Sequence, residues 1–526
     1  MQLTLLNWLL ALTPVLVILA LMVGFRWSGS RAGAASWFVS ILLAMIIFGA
    51  GARLIAYTQV KAVMLSLNVL YVIWMALLLY HVADEAGAVK VIGESLPRLT
   101  HDRTLQGLLL GWVFVSFLQG LGGLGVPVAV TAPLLVGLGF TPVQSVIMAS
   151  VGHAWAVNFG SMATAFISLL AVTKLPADML APNAALLLGA AGLVCGLVVA
   201  YVAGGWDGLR RNLPVVFLLA VVMGGVQYVL ATHGVWTLGA TGGAMAGLLV
   251  GIGWTQLGRS NPSHPAQPVN LHPAVPPASD GRRRTLPVSL SVYVVLVTLA
   301  FCLNLIQPVR AFFNQLHVSL NFPELQTALG TVNPAETSSP ISIFGHPGAI
   351  LLYASLIAFT IYWLSGYYHP GAAQRIAERV GRSAVTSSLG VLSMVGMAVI
   401  MSHSGMTRLL AEGLSRSFGE RLFPVVSPFI GVLGAFITGS NSNSNVLFGV
   451  LQMRTAELLG LSVPLILAAQ TAGGSLGSIL APAKVIIGCS TVGLEGREGE
   501  VIGKLLIYGL LPVLFIAAIL AFLGGT

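Results

Sequence analysis

Ten stretches of about 20 mostly apolar residues recur along this 526-residue chain, each long enough to cross the hydrocarbon core of a bilayer as a helix. They run near Leu5–Phe25, Ala32–Ala52, Ala62–Ala83, Asn183–Gly204, Pro214–Ala231, Trp236–Gln256, Pro287–Ile306, Gly348–Leu364, Ser383–Ser402 and Val501–Leu523. Asp, Glu, Lys and Arg make up 8% of the residues and mean hydropathy is +0.91. Soluble domains carry charge on roughly a quarter of their residues, so a water-facing surface could not be covered here. A soluble enzyme, a disordered chain and a nucleic-acid binder are thereby excluded. The reading is an all-α polytopic membrane protein, with Met1–Phe25 expected to be a retained first span.

Basic residues orient the spans. The 25 Lys and Arg exceed the 16 Asp and Glu by nine, and the excess gathers in short hydrophilic stretches. Trp206–Asn212 carries Arg210 and Arg211, Gly258–Leu286 carries Arg259, Arg282, Arg283 and Arg284, and Tyr367–Arg382 carries Arg375, Arg379 and Arg382. The alternating stretches Lys174–Pro182, Thr232–Val235 and Gln307–Pro347 are poor in basic residues. The first set is therefore cytoplasmic and the second external, which puts Asp84–Gln106 inside and the N-terminus outside. Gly258–Leu286 holds six prolines and reads as a flexible cytoplasmic linker between a half spanning 1–257 and a half spanning 287–526. Cys195, Cys302 and Cys489 lie singly in apolar runs and read as small buried hydrophobes.

Two regions, 107–173 and 424–492, are apolar yet broken by Gly, Pro and Asn, and they resemble each other in order. Each follows a span ending in His (His81, His403), then an amphipathic connector, then a polar or glycine-rich break. The breaks are Gln119–Pro127 and Thr438–Asn445, with Leu138–Pro142 and Leu459–Pro464 following them. Gly87 and Gly120 stand 33 residues apart and Gly405 and Gly439 stand 34 apart. The first connector falls inside and the second outside, although the second carries Arg408, Arg416 and Arg421. Equivalent elements entering from opposite faces define an inverted-topology repeat, as in many secondary transporters. The expectation is about 12 to 14 crossings with broken or re-entrant helices in both cores.

Non-helical backbone at membrane depth survives only where protein or a watery cavity surrounds it. Freed amide N–H groups at a half-helix start then favour an anion. This reading selects Gln119, Gly120, Gly122, Gly123 and Gly125 in the first break. In the second it selects Thr438, Ser440, Asn441, Asn443, Ser444 and Asn445. Asn158 and Gln470 are further hydrogen-bonding groups in the cores. Lys484, after Gly473–Pro482, is either the counter-charge of an anion or a lysine reaching an interface. His153 is either a proton carrier or a neutral packing histidine. His81 and His403 are expected at interfaces, and Arg454 with Glu457 as an internal pair. Glu495, Arg497, Glu498 and Glu500 read as a cytoplasmic turn with a gating or structural role. No phosphate-binding loop, dinucleotide fingerprint or metal-ligand spacing is present in the sequence, so no cofactor, metal or catalytic residue is assigned.

The stretch Gln119-Gly-Leu-Gly-Gly-Leu-Gly-Val-Pro-Val-Ala-Val, followed by Leu134–Phe140, resembles the first signature block of the L-lactate permease family. Phe436–Gln452 resembles the second, continued by Thr455-Ala, Ala468–Gly474 and Gly493–Glu500. The resemblance implies a 2-hydroxymonocarboxylate transporter carrying lactate or glycolate with protons, in a bacterial plasma (inner) membrane. Against the family pattern, Gln119 replaces a glutamate, Asn441 an aspartate, and Ala481-Pro-Ala-Lys484 a Ser-Pro-Gln. Two carboxylates suited to carrying a proton or Na⁺ are thus amides here. The partners implied are a small anionic substrate, a co-transported proton or Na⁺, the lipid bilayer and a homo-oligomeric copy. Other readings are a carrier of a dicarboxylate or inorganic oxyanion, an anion channel, or a membrane subunit serving an enzyme.

Overall fold

The computed structural model describes residues 2–25, 27–95, 100, 102–121, 123, 125–257, 284–338, 340–494 and 497–523. Most of the expected linker, 258–283, lies outside them, as do Gly122 and Glu495.

Eleven helices among the described residues are long and apolar enough to span a bilayer. The helix Ala177–Thr232 bends at Gly205 (φ 61°) and so divides into two spans, while 142–173 forms one broken span. Met406–Thr438 bends at Gly419 into a short arm and one limb of a hairpin. Counting in this way gives twelve crossings and two hairpins, inside the expected range. Local chemistry sets many helix starts. Thr4, Asp102 and Ser440 cap the helices they precede, and Thr141 with Gln144 forms a capping box ahead of Pro142–His153.

The repeats are visible as matched units. In the first, the long helix Ala52–Glu85 leads to the short arm Ala88–Ser95. A hairpin follows, with limbs 103–121 and Val126–Gly137, and then the broken span Pro142–His153 plus Thr164–Thr173. In the second, Ala372–Ser404 leads to the arm 406–418. Its hairpin has limbs 420–438 and Asn441–Leu459, and its broken span is Val463–Gly477 plus Pro482–Ser490. In both, glycine lets a hairpin limb and the first half of a broken span touch backbone to backbone. A Cβ at Gly152 would overlap the Gly111 carbonyl, and one at Gly473 would overlap that of Pro428.

Contacts fix the sides. At one end, Arg375 bonds Glu85 at 2.7 Å, Arg379 lies 3.5 Å from Asp84, and Tyr368 donates to the Val82 carbonyl at 2.9 Å. At the other end, the Ala328 amide donates to the Gly49 carbonyl at 2.8 Å and Asn333 donates to the His403 carbonyl at 3.0 Å. The first arm therefore lies at the end that carries the basic residues and the second at the opposite end. The repeats are inverted. Their exchange is reciprocal: the half-helix 164–173 packs on Asn441–Leu459, and Pro482–Ser490 packs on Val126–Gly137. A lipid-facing belt includes Leu5, Ile46, Val221, Leu249 and Ile507, all strongly exposed.

Two local expectations are corrected, and one stretch left open by the sequence takes a definite form. Trp206–Asn212 is helical, because one residue, Gly205, makes the turn and the basic side chains need no loop to reach water. The external stretch is ordered in part as a nested antiparallel hairpin that pairs His317 with Ser342, Asn321 with Thr337 and Leu325 with Asn333. Its tip sits on Gly49, and His403 lies beneath it rather than at an open interface.

Candidate functional site

The hairpin tips lie beside the breaks of the broken spans, which places them in mid-membrane. The Ser161 amide donates to the carbonyls of Gln119 and Gly120 at 3.0 and 3.1 Å. Gly439 faces Ala481, and Gly125 faces Ile487. The halves 142–153 and 164–173 have 12 and 10 residues, about 18 and 15 Å of helix, so the break between them falls at mid-depth.

Four helices begin at this level. Val126–Gly137 starts after Gly125, Thr164–Thr173 after Ala163, Asn441–Leu459 after Ser440 and Pro482–Ser490 after Ala481. Two run outward and two inward, so four positive dipole ends meet at the centre of the fold. Ser161, Met162 and Ala163 all hold left-handed backbone, with φ of 49°, 54° and 59°. Three consecutive non-glycine residues in that region are strained, and such strain gathers at functional sites.

A buried polar network joins the repeats here. Thr471 Oγ1 donates to Asn158 Oδ1 at 2.5 Å and accepts from Asn445 Nδ2 at 2.7 Å. Asn441 Nδ2 lies 3.5 Å from both Asn158 Oδ1 and Thr471 Oγ1. Asn445 Nδ2 also reaches the Ala165 carbonyl at 2.9 Å. Ser475 Oγ donates to the Ala154 carbonyl at 2.7 Å and accepts from the Asn158 amide at 3.2 Å. Asn158 Nδ2 and Asn441 Oδ1 are buried without a hydrogen-bond partner among the described residues. Orphaned polar atoms of this kind call for a ligand or water.

Lys484 lies in the first turn of its half-helix, buried, with Nζ donating to Ser478 Oγ at 3.1 Å. No carboxylate lies within ion-pair distance of it among the described residues. A lysine at bilayer mid-depth costs on the order of 3 kcal/mol unless a partner or polar cavity receives it. His153 is buried near Lys484, its Nδ1 bonded to the Ala149 carbonyl at 2.7 Å.

The expected residues divide by environment. Asn158, Asn441, Asn445 and Lys484 share the centre, with Gln119, Gly123 and Gly125 at the first tip. Gly120 is packed against Thr241 of the helix Gly239–Leu257. Gln470 and Ser444 are consumed in fastening the second hairpin. Gln470 Nε2 donates to Ser444 Oγ at 3.1 Å, and Gln470 Oε1 accepts from Gln452 at 3.0 Å. Thr438 Oγ1 closes the tip turn, accepting from the Ser440 amide at 3.3 Å. Asn443 stands apart, partly exposed. The run Asn441–Asn445, expected to be non-helical, is the first turn of a helix, because Ser440 caps it and leaves only Gly439 and Ser440 to make the turn. Thr471, Ser475, Gln452 and Ser161 were not singled out from the sequence. Gln452 and Thr471 lie within the signature stretches Phe436–Gln452 and Ala468–Gly474, which was the available signal, whereas Ser161 and Ser475 are isolated hydroxyls that only their position at the breaks distinguishes.

Inverted hairpin-and-broken-helix repeats enclosing a polar, cation-bearing centre define a multi-pass membrane transporter rather than an enzyme. The L-lactate permease family profile matches residues 7–524, and the chain belongs to that family. It is 26% identical to the L-lactate permease of Bacillus subtilis, covering 94% of this chain and 92% of that one. It is also 26% identical to the glycolate permease GlcA of Escherichia coli, covering 94% and 91% respectively. The solved YdaH transporter of Alcanivorax borkumensis aligns over 90% of both chains at 18% identity, with a TM-score of 0.47. Membership of this family of permeases and the spans make it a multi-pass plasma-membrane protein.

Proposed function

We propose that the protein is a secondary carrier of small monocarboxylates of the lactate and glycolate class, working by alternating access with proton coupling. The observation that supports this reading best is the meeting of four half-helix N-termini with Lys484, a cation that lacks a carboxylate partner among the described residues. In this reading the substrate carboxylate is the missing counter-ion. Asn158 Nδ2 and the amides of the two tips hydrogen-bond its oxygens, and the hydroxyl of a 2-hydroxy acid meets Asn441 Oδ1. Permeases for lactate and glycolate among the relatives agree in charge and size with such a site.

With Gln119 and Asn441 as amides, the centre lacks the anionic ligands a Na⁺ site prefers. His153, beside Lys484, is the group left to carry a proton. The halves 1–257 and 287–526 each contribute one hairpin and one broken span, and movement of these against the long helices would open the centre to each face in turn. Uptake of labelled lactate, glycolate, succinate and sulfate into proteoliposomes under imposed pH and Na⁺ gradients tests this. Saturable lactate or glycolate uptake that collapses with an uncoupler is expected. Lactate and glycolate failing in every gradient would overturn the substrate, and non-saturating conductance would make the protein a channel.

A further inference from the structure

A second cluster of charged side chains stands at the external face, at the far end of the half-helix 164–173. Glu336, from the β-hairpin, bonds Lys61 of the long helix Ala52–Glu85 through one carboxylate oxygen and Lys174 through the other. His403 Nε2 lies 2.8 Å from Lys61 Nζ and 4.0 Å from the Glu336 carboxylate. Two ammonium groups thus share a single carboxylate, which leaves an excess positive charge.

Lys174 also lines a cavity of about 350 Å³ with Asn68, Leu170, Leu175, Trp236 and His346. His346 Nδ1 accepts from the Gly348 amide at 3.1 Å, so its proton is on Nε2, which donates to Asn68 Oδ1 at 2.8 Å. That bond occupies Asn68 Oδ1, and Asn68 Nδ2 donates no hydrogen bond among the described residues. The cavity therefore combines a cation, an amide donor and an apolar wall, in a volume typical of small-ligand sites.

We propose that this cavity is an external access site for short-chain carboxylates, in which the anion bonds Lys174 and Asn68 Nδ2 and its carbon chain lies against Leu170, Leu175 and Trp236. The proposal rests on the carrier reading only for the class of ligand. Binding here competes with Glu336 for Lys174. The half-helix that ends at Lys174 begins at the central network, where Asn445 holds the Ala165 carbonyl at 2.9 Å, so one rigid element connects the two sites.

The test is chemical protection of the purified full-length protein. Lys174 is accessible at the cavity rim, so its acylation by an amine-reactive anhydride can be followed by peptide mass spectrometry, with Lys504 as internal reference. L-Lactate and propionate should slow Lys174 acylation about tenfold while uncharged lactamide does not, the scale of one charge-assisted contact. Glu336→Gln should strengthen protection by removing the competitor. Asn68→Leu, or Asn68→Ser if the first variant misfolds, should weaken it. Lys484→Gln should retain it, because the external site does not need the centre. Equal acylation with and without carboxylate would overturn the site, and so would loss of protection in Lys484→Gln. Failure of lactate uptake with protection intact would strike the carrier reading alone.

Discussion

Thr471 Oγ1 donates a 2.5 Å hydrogen bond to Asn158 Oδ1, tying the broken span of the second repeat to the unwound segment of the first. Both groups are buried, and the bond leaves Asn158 Nδ2 facing the centre without a partner among the described residues. Thr471→Val should therefore lower lactate uptake (kcat/KM) roughly tenfold, because it leaves Asn158 Oδ1 with only the 3.5 Å contact to Asn441 Nδ2 and releases Asn445 from the network. Thr471→Ser keeps the hydroxyl and should retain most of the activity. Equal uptake by Thr471→Val and wild type in proteoliposomes would remove this contact from the site.

Lys484→Gln should abolish anion uptake, by about a hundredfold or more, while the protein still inserts and purifies as a monodisperse species. The substitution is close in volume and removes a buried charge, so folding should not suffer. Unchanged uptake would show that Lys484 does not face the substrate.

His153→Asn separates transport from coupling. The variant should lose the acceleration that an inward proton gradient gives, while exchange of internal for external lactate continues. Exchange needs both substrate-loaded states but no net proton movement. A gradient response equal to that of wild type would free His153 from the proton pathway.

Gly152→Ala and Gly473→Ala should each destabilise the protein by about 3 kcal/mol or more. The new Cβ meets a carbonyl oxygen of the crossing backbone, which no rotamer change can relieve. Thermal unfolding in detergent measures this. Gly503→Ala, with open space around its Cβ position, is the matched control.

His346 lies at the start of the helix Pro347–Leu364, and burial holds its pKa down to about 4, below the usual 6.5. The neutral ring accepts the Gly348 amide through Nδ1, an interaction lost on protonation. A depressed histidine pKa means the folded state binds the proton less readily than the unfolded chain. Its contribution is complete above pH 6.5 and falls away as pH drops from 6.5 toward 4. The thermal midpoint of the wild type should decline over that interval more steeply than that of His346→Gln.

Much of this architecture is legible in the residues themselves. Hydropathy located the spans, because a backbone in lipid must satisfy its own hydrogen bonds over about 20 residues and only an apolar run can do so. Alternation of basic loops oriented them, and the matched spacing of the two broken cores announced the inverted repeat. The signature blocks at Gln119–Phe140 and Phe436–Gln452 pointed to the family. Lys484 was visible because a charge in an apolar run is conspicuous.

Local signals misled where a single residue does the turning. Gly205 bends one helix so sharply that the basic stretch after it needs no loop, and Ser440 caps the run of Ser and Asn into a helix. The β-hairpin over the external face left no periodic signal, since its strands are short and mostly exposed.

What the sequence alone determined is the solvent, the approximate number and the direction of the spans, and which stretches break. Only the tertiary structure decided which atoms meet at the breaks. The partners of Asn158 lie about 300 positions away, and so does the carboxylate shared by Lys61. Hydropathy and capping act over one or two turns of chain. A hydrogen bond between repeats exists only once helices from both halves have packed, and no local pattern in either half encodes the other's position.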